Sequence, residues 1–254
     1  MSMRLFDTHC HFETAAPEAV APMLERARAA GVERILAVGG SAALNAAALA
    51  ARALARSDPA RFPRVDVALG FDREQALSSP DLSALGLAGE AALGEMGLDY
   101  HYARSTRAEQ LALFRAELER ARALDLPVVI HTREADDDTL SLLREVPVRG
   151  IIHSYTGTAA AARQFLELGF YVSFSGIVTF RLADNVREAA RAVPDGRLLV
   201  ETDSPYLAPV PVRGRPCEPA FVAHTCALLA RERGLTAEAL AEITFANAER
   251  VLGV

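Results

Sequence analysis

The amino-acid sequence predicts an α/β protein of the (β/α)₈, or TIM, barrel type. Short apolar runs alternate with longer stretches of helical periodicity from one end of the chain to the other. The runs are mostly continuous, as expected for parallel strands that are buried on both faces. The length of 254 residues suits one such barrel, which contains about 250 residues. The expected strands are Arg4–Thr8, Arg34–Val38, Arg64–Leu69, Ala92–Met96, Pro127–His131, Gly150–His153, Phe170–Phe174 and Arg197–Glu201.

Helices are expected between these strands. Pro17 suits a first helical turn, because its missing N–H is not needed there, and Gly31 and Gly169 stand where helices should end. The segment Glu218–Leu252 predicts two further helices, the second beginning near Thr236. The other helical stretches are Pro17–Ala30, Ala42–Arg56, Thr106–Leu124 and Thr158–Leu168.

The sequence contains no internal repeat, low-complexity tract or visible domain boundary. We therefore expect residues 1–254 to form a single (β/α)₈ barrel domain. An open, doubly wound sheet is the alternative for this order of elements. A dinucleotide-binding sheet of that kind should carry Gly-x-Gly-x-x-Gly after its first strand, and the motif is absent. The barrel is favoured.

The composition excludes two kinds of chemistry. All 27 basic residues are arginine, and the sequence contains no lysine. A Schiff-base enzyme and a metal centre bridged by a carbamylated lysine both need an ε-amine, so any bridging ligand must be a carboxylate. The net charge of −6 disfavours a protein that coats nucleic acid non-specifically, although a local basic rim could still bind a phosphate.

The sequence also predicts a cytoplasmic protein. Its three cysteines show no paired spacing, which argues against a disulfide framework. The N-terminal residues include Asp7 and two histidines where a secretion signal needs an apolar run. No apolar stretch approaches the ~20 residues that span a bilayer. We expect no membrane association, and either a monomer or a homodimer.

Six side chains of metal-binding type fall at or just beyond the carboxyl ends of expected strands. In a (β/α)₈ barrel these ends share the face that carries the active site. The six side chains should therefore converge, although they come from five different strands. They are His9, His11, Glu95, His131, His153 and Asp203.

The spacing of these residues favours metal binding. His9 and His11 leave the same side of an extended strand, so both imidazoles can chelate one ion, and Glu95 can bridge two ions through its two oxygens. Taken singly, a histidine at a strand end is more often a hydrogen-bonded residue, and an acid there is commonly a helix N-cap. Four of the six histidines on one barrel face, beside two carboxylates, favour a metal centre over these alternatives. His101 and His224 are left without a role.

The residues lie within longer motifs, and the motifs are Asp7-Thr8-His9-Cys10-His11, Gly94-Glu95-Met96-Gly97-Leu98-Asp99-Tyr100, Pro127-Val128-Val129-Ile130-His131-Thr132-Arg133 and Glu201-Thr202-Asp203-Ser204-Pro205-Tyr206-Leu207. Together and in this order, they resemble the signature motifs of the TatD family of metal-dependent deoxyribonucleases. The resemblance implies a barrel of the amidohydrolase superfamily with two divalent ions, of zinc, magnesium or manganese. It also implies that His9, His11, Glu95 and Asp203 bind one ion, while Glu95, His131 and His153 bind the other.

The chain departs from the family pattern without losing a metal ligand. After the third strand it has Gly70-Phe71-Asp72-Arg73, where the family usually has Gly-x-His-Pro. An acid and an arginine thus replace a histidine and a proline in a loop expected near the substrate. Cys217 stands where asparagine is typical. The first departure leaves the identity of the substrate open.

The expected reaction is hydrolysis of phosphodiester bonds in DNA, single-stranded or at 3′ ends, by water that the two ions activate. Asp203 would orient this water and take its proton, and Glu95 would bridge the ions, so both are predicted catalytic residues. Arg133, Arg213 and Arg215 are predicted phosphate contacts, because a guanidinium can bind two oxygens at once. Solvated surface charge is the alternative for each arginine.

Two other functions fit the same residues. The site could hydrolyse an amide, ester or lactone, since bound metal polarises a carbonyl as readily as a phosphoryl group. A non-catalytic barrel that binds metal or nucleic acid is the third interpretation. Within the first motif, we expect Asp7 to orient a histidine and Cys10 to point away from the histidines into packing.

Overall fold

The protein is described here from a computed structural model that covers residues 3–12, 16–87, 89–102 and 104–254. Its eight strands form one sheet in sequence order, and every neighbouring pair is parallel. The predicted strands are all present, with ends that shift by a few residues. They are β1 (Leu5–Cys10), β2 (Val32–Gly40), β3 (Arg64–Phe71), β4 (Ala92–Asp99), β5 (Val128–Arg133), β6 (Gly150–Ile152), β7 (Tyr171–Phe174) and β8 (Leu198–Val200).

The barrel closes between β1 and the segment that follows β8. The backbone N–H of Asp203 donates to the carbonyl of His9 at 2.9 Å. The buried carboxylate of Asp7 accepts two more hydrogen bonds across the same seam, from the backbone N–H of Thr202 at 2.8 Å and from its hydroxyl at 2.6 Å. The first and last strands are therefore neighbours. The predicted (β/α)₈ barrel is confirmed, and an open sheet is excluded.

In the described part of the chain, α-helices connect all consecutive strands except β3 and β4, between which lie two short 3₁₀ helices, Arg73–Ser78 and Leu82–Ala84. Pro17 begins the first helix as predicted, and Gly31 and Gly169 follow two helix ends with φ of +89°, a conformation that favours glycine. The Thr236 hydroxyl caps the last helix by accepting from the N–H of Ala239 at 3.2 Å. The helices are α1 (Pro17–Ala29), α2 (Ala42–Ser57), α3 (Arg107–Leu124), α4 (Asp136–Glu145), α5 (Ala159–Glu167), α6 (Asp184–Ala192), α7 (Val222–Glu232) and α8 (Ala237–Leu252). None of these helices is both long and apolar enough to cross a membrane.

Two hydrophobic cores fill the barrel and its surroundings. The larger core packs the helices against the outside of the strands. The smaller core lies inside the barrel, and α8 covers it at the end where the strands begin, with ion pairs from Arg4 to Glu242 and from Arg34 to Glu249. The other end is left for a functional site. Every strand contributes to the inner core, through Phe6, Leu36, Val38, Ala68, Ala92, Val129, Ile151, Tyr171 and Leu199.

A buried acid in α3 supports the loop that follows β3. Glu117 is fully buried, and its Oε1 accepts a hydrogen bond from the backbone N–H of Phe71 at 2.8 Å. Its Oε2 has no hydrogen-bond partner among the residues that the structure describes. Burial raises the pKa of Glu117 well above its usual range, and the nearby charges of Asp72 and Glu95 act in the same direction against the Phe71 hydrogen bond. The folded protein therefore keeps the Glu117 proton.

We expect the substitution Glu117→Gln to stabilise the protein increasingly as the pH rises. The unfolded chain releases the Glu117 proton above about pH 4.5, whereas the folded state retains it, so rising pH favours unfolding and glutamine removes that effect. At pH 8, the Tm of E117Q should exceed that of the wild type by about 2–4 °C for each kcal/mol of destabilisation that the substitution removes. The difference in Tm should be smaller at pH 5. Thermal unfolding at both pH values measures this. The exposed Glu119→Gln on the same helix is the control, and a gain that does not grow with pH would contradict the prediction.

Candidate metal centre

The structure brings all six predicted ligands together where the strands end. Glu95 of β4 is 5% exposed and lies at the centre of the group. Its Oε2 lies 3.7 Å from Nε2 of His9 and 3.4 Å from Nε2 of His11. Its Oε1 lies 3.5 Å from Nδ1 of His131 and 3.4 Å from Nε2 of His153. The two oxygens of one carboxylate thus face two separate pairs of imidazoles.

Asp203 completes the first group of donor atoms. The Nε2 atoms of His9 and His11 lie 3.0 Å apart, and Oδ1 of Asp203 lies 3.8 Å and 3.9 Å from them. Ligand bonds of about 2.0–2.2 Å in a tetrahedral site place neighbouring donors about 3.4 Å apart. The observed separations lie on both sides of that value. These three residues and Oε2 of Glu95 therefore fit one divalent ion.

A second group of donors lies on the other side of Glu95. Nδ1 of His131 and Nε2 of His153 are 3.2 Å apart, and both face Oε1 of Glu95. Three donors leave open positions for water or substrate, as catalytic metal sites require. This division of the ligands is the one that the family resemblance implies. The number and the identity of the ions stay predictions.

Two buried carboxylates orient the histidines of the second group. Oδ2 of Asp99 lies 3.1 Å from Nε2 of His131, and Oε1 of Glu201 lies 3.3 Å from Nδ1 of His153. Such partners select which ring nitrogen faces the ion and raise its basicity. Sequence reasoning missed both acids, although each lies within one of the quoted motifs at the end of a strand. That position was the signal available.

Asp7 has a different role from the one predicted. Its carboxylate does not orient a histidine ring: it accepts the two hydrogen bonds from Thr202 and a longer one, of 3.4 Å, from the backbone N–H of His9. Burial raises the pKa of Asp7 to about 8, against the effect of the Thr202 hydrogen bonds. Asp7 therefore fixes the segment that carries Asp203. Cys10 is buried in the larger core, as predicted.

Charged and neutral groups are mixed in the cluster. Burial lowers the pKa of His153, but the carboxylates of Glu95 and Glu201 outweigh this and raise it well above its usual range. Burial by itself raises the pKa of Glu95, but His153, His11 and His9 hold it well below its usual range, so the carboxylate is ionised. Burial and the neighbouring His153 lower the pKa of His9 to about 4, which leaves its ring neutral and able to donate a lone pair. Burial raises the pKa of Asp203 to about 7, against the effect of His153.

The cluster opens onto two adjoining cavities. One, of about 430 Å³, is lined by five of the six predicted ligands. The other, of about 610 Å³, is lined by two of the predicted substrate-binding residues, Arg133 and Arg213. Arg133 stacks over the ring of Tyr102 at 4.7 Å, and Arg213 stacks over Phe180 at 4.1 Å. Arg215 is exposed and does not line either cavity.

The loop that departs from the family pattern enters the site. Nη1 of Arg73 lies 3.5 Å from Oε1 of Glu95, and its Nε lies 3.6 Å from Oδ2 of Asp99. Burial and the charge of Glu95 raise the pKa of Asp72 to about 6, although Arg73 opposes this. The Asp72 carboxylate accepts from the backbone N–H of Glu74 at 2.8 Å, which fixes the turn. The arginine of this loop thus lies beside the central carboxylate.

The family of the chain follows from comparison with known proteins. A family model described as TatD related DNase matches residues 6–253. The chain belongs to this family. The solved structure of a TatD homologue from Escherichia coli K12, YjjV, covers 100% of both chains with 26% identity and a TM-score of 0.86. The chain therefore has the TatD-type barrel.

Three curated relatives support this assignment. The metal-dependent hydrolase YabD of Bacillus subtilis is 35% identical over 98% of this chain and 99% of its own length. The metal-dependent hydrolase YcfH of Escherichia coli K12 is 48% identical over 169 residues, 65% of this chain, and the match spans only 64% of YcfH. A Klebsiella pneumoniae protein named 3′-5′ ssDNA/RNA exonuclease TatD is 37% identical over 64% of this chain and 65% of its own length.

We expect Glu201→Gln to weaken metal binding by about 10–100-fold, because an outer partner of a ligating histidine contributes that much to affinity. Glutamine keeps the size of the side chain but removes the charge that faces Nδ1 of His153. Calorimetric titration of Mn²⁺ into metal-free protein measures the change. Glu90→Gln is the matched control, since Glu90 is also buried but pairs with Arg52 at 3.0 Å, before the start of β4. Equal affinities in the two variants would show that Glu201 does not support the ligand.

Proposed function

We propose that this TatD-family hydrolase cleaves phosphodiester bonds in single-stranded DNA, acting at 3′ ends, with two divalent ions held by the six-residue cluster. The observation that carries the proposal is the carboxylate of Glu95, whose two oxygens face two separate donor groups. The arginine- and aromatic-lined cavity beside it supports an anionic, base-bearing substrate. The printed activity of the Klebsiella pneumoniae relative, a 3′-5′ exonuclease, points in the same direction.

The residues of the cluster have distinct proposed roles. Divalent ions bound there would lower the pKa of a water molecule and neutralise charge on the phosphate. Asp203 lines both cavities, and its proposed role is to orient the attacking water and to accept its proton. Glu95 is almost fully buried, and its role is to hold the two donor groups at a fixed separation. It does not need to contact the substrate.

The larger cavity is the proposed path of the DNA strand. Arg133 and Arg213 line it, and a guanidinium can bind two phosphate oxygens at once. Tyr102 is 71% exposed beside Arg133, so its ring is available to stack on a base. Stacking tolerates every base, which suits an enzyme that digests DNA without sequence preference. Arg215 is proposed to meet the phosphate backbone farther from the ions.

We expect Asp203→Asn to lose most of the hydrolysis, by about 10²–10⁴-fold in kcat, because asparagine cannot accept the proton of the attacking water. The amide oxygen still offers a ligand atom, so metal analysis should find the same content as in the wild type. Rates on a 3′-labelled single-stranded oligonucleotide measure the effect. Asp125→Asn, at an exposed position before β5, is the control. A D203N variant that keeps its rate would show that another group accepts the proton.

We expect Tyr102→Ala to raise the KM for single-stranded DNA with little change in kcat. Base stacking on an aromatic ring contributes about 1–3 kcal/mol, which corresponds to roughly 5–150-fold in KM. Arg133→Ala should act in the same direction, while Arg61→Ala, which removes an arginine stacked on Phe62 at 5.0 Å on another part of the surface, should not. A fall in kcat at constant KM would contradict this path for the strand.

The second candidate function is hydrolysis of an amide, ester or lactone by the same cluster, and Arg73 beside Glu95 is the observation that favours it. A guanidinium at that point could bind the carboxylate of a small acyl substrate as well as a phosphate. A panel of single-stranded DNA, double-stranded DNA and acyl compounds, each with Mg²⁺, Mn²⁺ and Zn²⁺, separates the two functions. Turnover of acyl compounds alone would replace the nuclease proposal, and turnover of neither class would favour a metal-binding barrel without catalysis.

A further inference from the structure

One arginine is placed among the proposed metal ligands. Nη1 of Arg73 lies 3.5 Å from Oε1 of Glu95, at the same distance as Nδ1 of His131. Its Nε lies 3.6 Å from Oδ2 of Asp99, the carboxylate that orients His131. The Arg73 side chain is only 18% exposed. The guanidinium therefore shares an oxygen and an orienting carboxylate with the second group of donors.

The first group of donors differs in this respect. Among the described residues, no arginine pairs with the Asp203 carboxylate within 4.0 Å, and the closest approach of Arg73 to Glu95 is to Oε1, the oxygen that faces the second group. The two groups thus differ in local charge, although they share Glu95. Burial lowers the pKa of Arg73, but Glu95 and the other nearby carboxylates, Asp72, Asp99 and Glu74, outweigh this and raise it, so the guanidinium is charged.

A fixed positive charge at this point opposes a divalent ion. An ion held by Oε1 of Glu95 would share that oxygen with the guanidinium nitrogen, which lies 3.5 Å from it. Like charges a few ångströms apart repel strongly where water is largely excluded. We expect this repulsion to weaken the affinity of the second group for its ion by more than tenfold, which corresponds to about 1.4 kcal/mol. Arg73 also competes for the negative charge of Glu95 and Asp99.

We propose that Arg73 makes the two cation sites unequal, by lowering the affinity of the group formed by Glu95, His131 and His153 for its ion. The group formed by His9, His11 and Asp203 then fills first and holds its ion more tightly. The second ion binds only when the guanidinium moves away from Oε1 of Glu95. The displaced guanidinium then faces the cavity that Arg73 lines. This inference rests on the proposed two-ion function, since it takes both donor groups as cation sites.

Titration of Mn²⁺ into metal-free protein tests the inference, with free Mn²⁺ counted by its paramagnetic resonance signal and heats measured by calorimetry. The wild type should bind one ion tightly and a second at least about tenfold more weakly. Arg73→Gln should tighten the second step by at least about tenfold and leave the first within about threefold. Arg73→Lys keeps the positive charge, so its second step should stay weak.

Arg133→Gln is the matched control, because it removes the same charge from the same cavity at a residue that makes no ion pair with a proposed ligand. Its titration should resemble that of the wild type. Two equal steps in the wild type, an unchanged second step in R73Q, or equal tightening in R73Q and R133Q would each overturn the inference. Two equal steps in the wild-type protein would overturn the inference without any variant. The inference therefore stays falsifiable even if R73Q does not fold. Failure of the proposed function is seen separately, as absence of phosphodiester hydrolysis in the metal-loaded wild type.

Discussion

The functional end of this protein depends on one buried carboxylate. An ionised Glu95 at 5% exposure is costly unless other groups compensate its charge. Four imidazoles surround it, two facing each oxygen: His9 and His131 lie in β1 and β5, and His11 and His153 directly follow β1 and β6. The arrangement requires β4 and β5 to approach closely: a Cβ on Gly97 would lie 2.0 Å from the carbonyl oxygen of His131. Strand register, the glycine at position 97 and the surrounding charges thus all help to position Glu95.

The fold and the convergence of the six candidate ligands could be predicted from the sequence because both follow from local rules. Parallel strands end on one face of a barrel, and side chains two residues apart share a side of a strand, so His9 and His11 could be assigned to one group. The roles of Asp7 and Asp99 could not be predicted in this way. Asp99 meets a histidine 32 residues away, and Asp7 meets Thr202 across 195 residues. These contacts depend on side-chain directions that no periodic pattern encodes.

Because the sequence contains no lysine, every basic side chain on the candidate substrate face, apart from histidine, is an arginine. Two of its guanidinium groups lie flat against aromatic rings, Arg133 on Tyr102 and Arg213 on Phe180. Stacking restricts the long side chains before a substrate arrives, so less rotational freedom is lost on binding than for free lysines. Arg73 is different, because carboxylates of the metal cluster hold it. The same residue type therefore stacks on aromatic rings on one side of the cluster and pairs with carboxylates on the other.

The hydrogen bonds between Asp7 and Thr202 join a part of the chain that is synthesised early to a part that is synthesised late. The ribosome delivers His9 and His11 first, and Asp203 follows only when most of the chain has emerged. A nascent or shortened chain therefore displays two histidines without the carboxylate that completes their group. A metal ion that binds the finished site, and not the partial one, stabilises the closed barrel by mass action. Metal binding of this kind would therefore stabilise complete chains and leave shortened ones without that stabilisation.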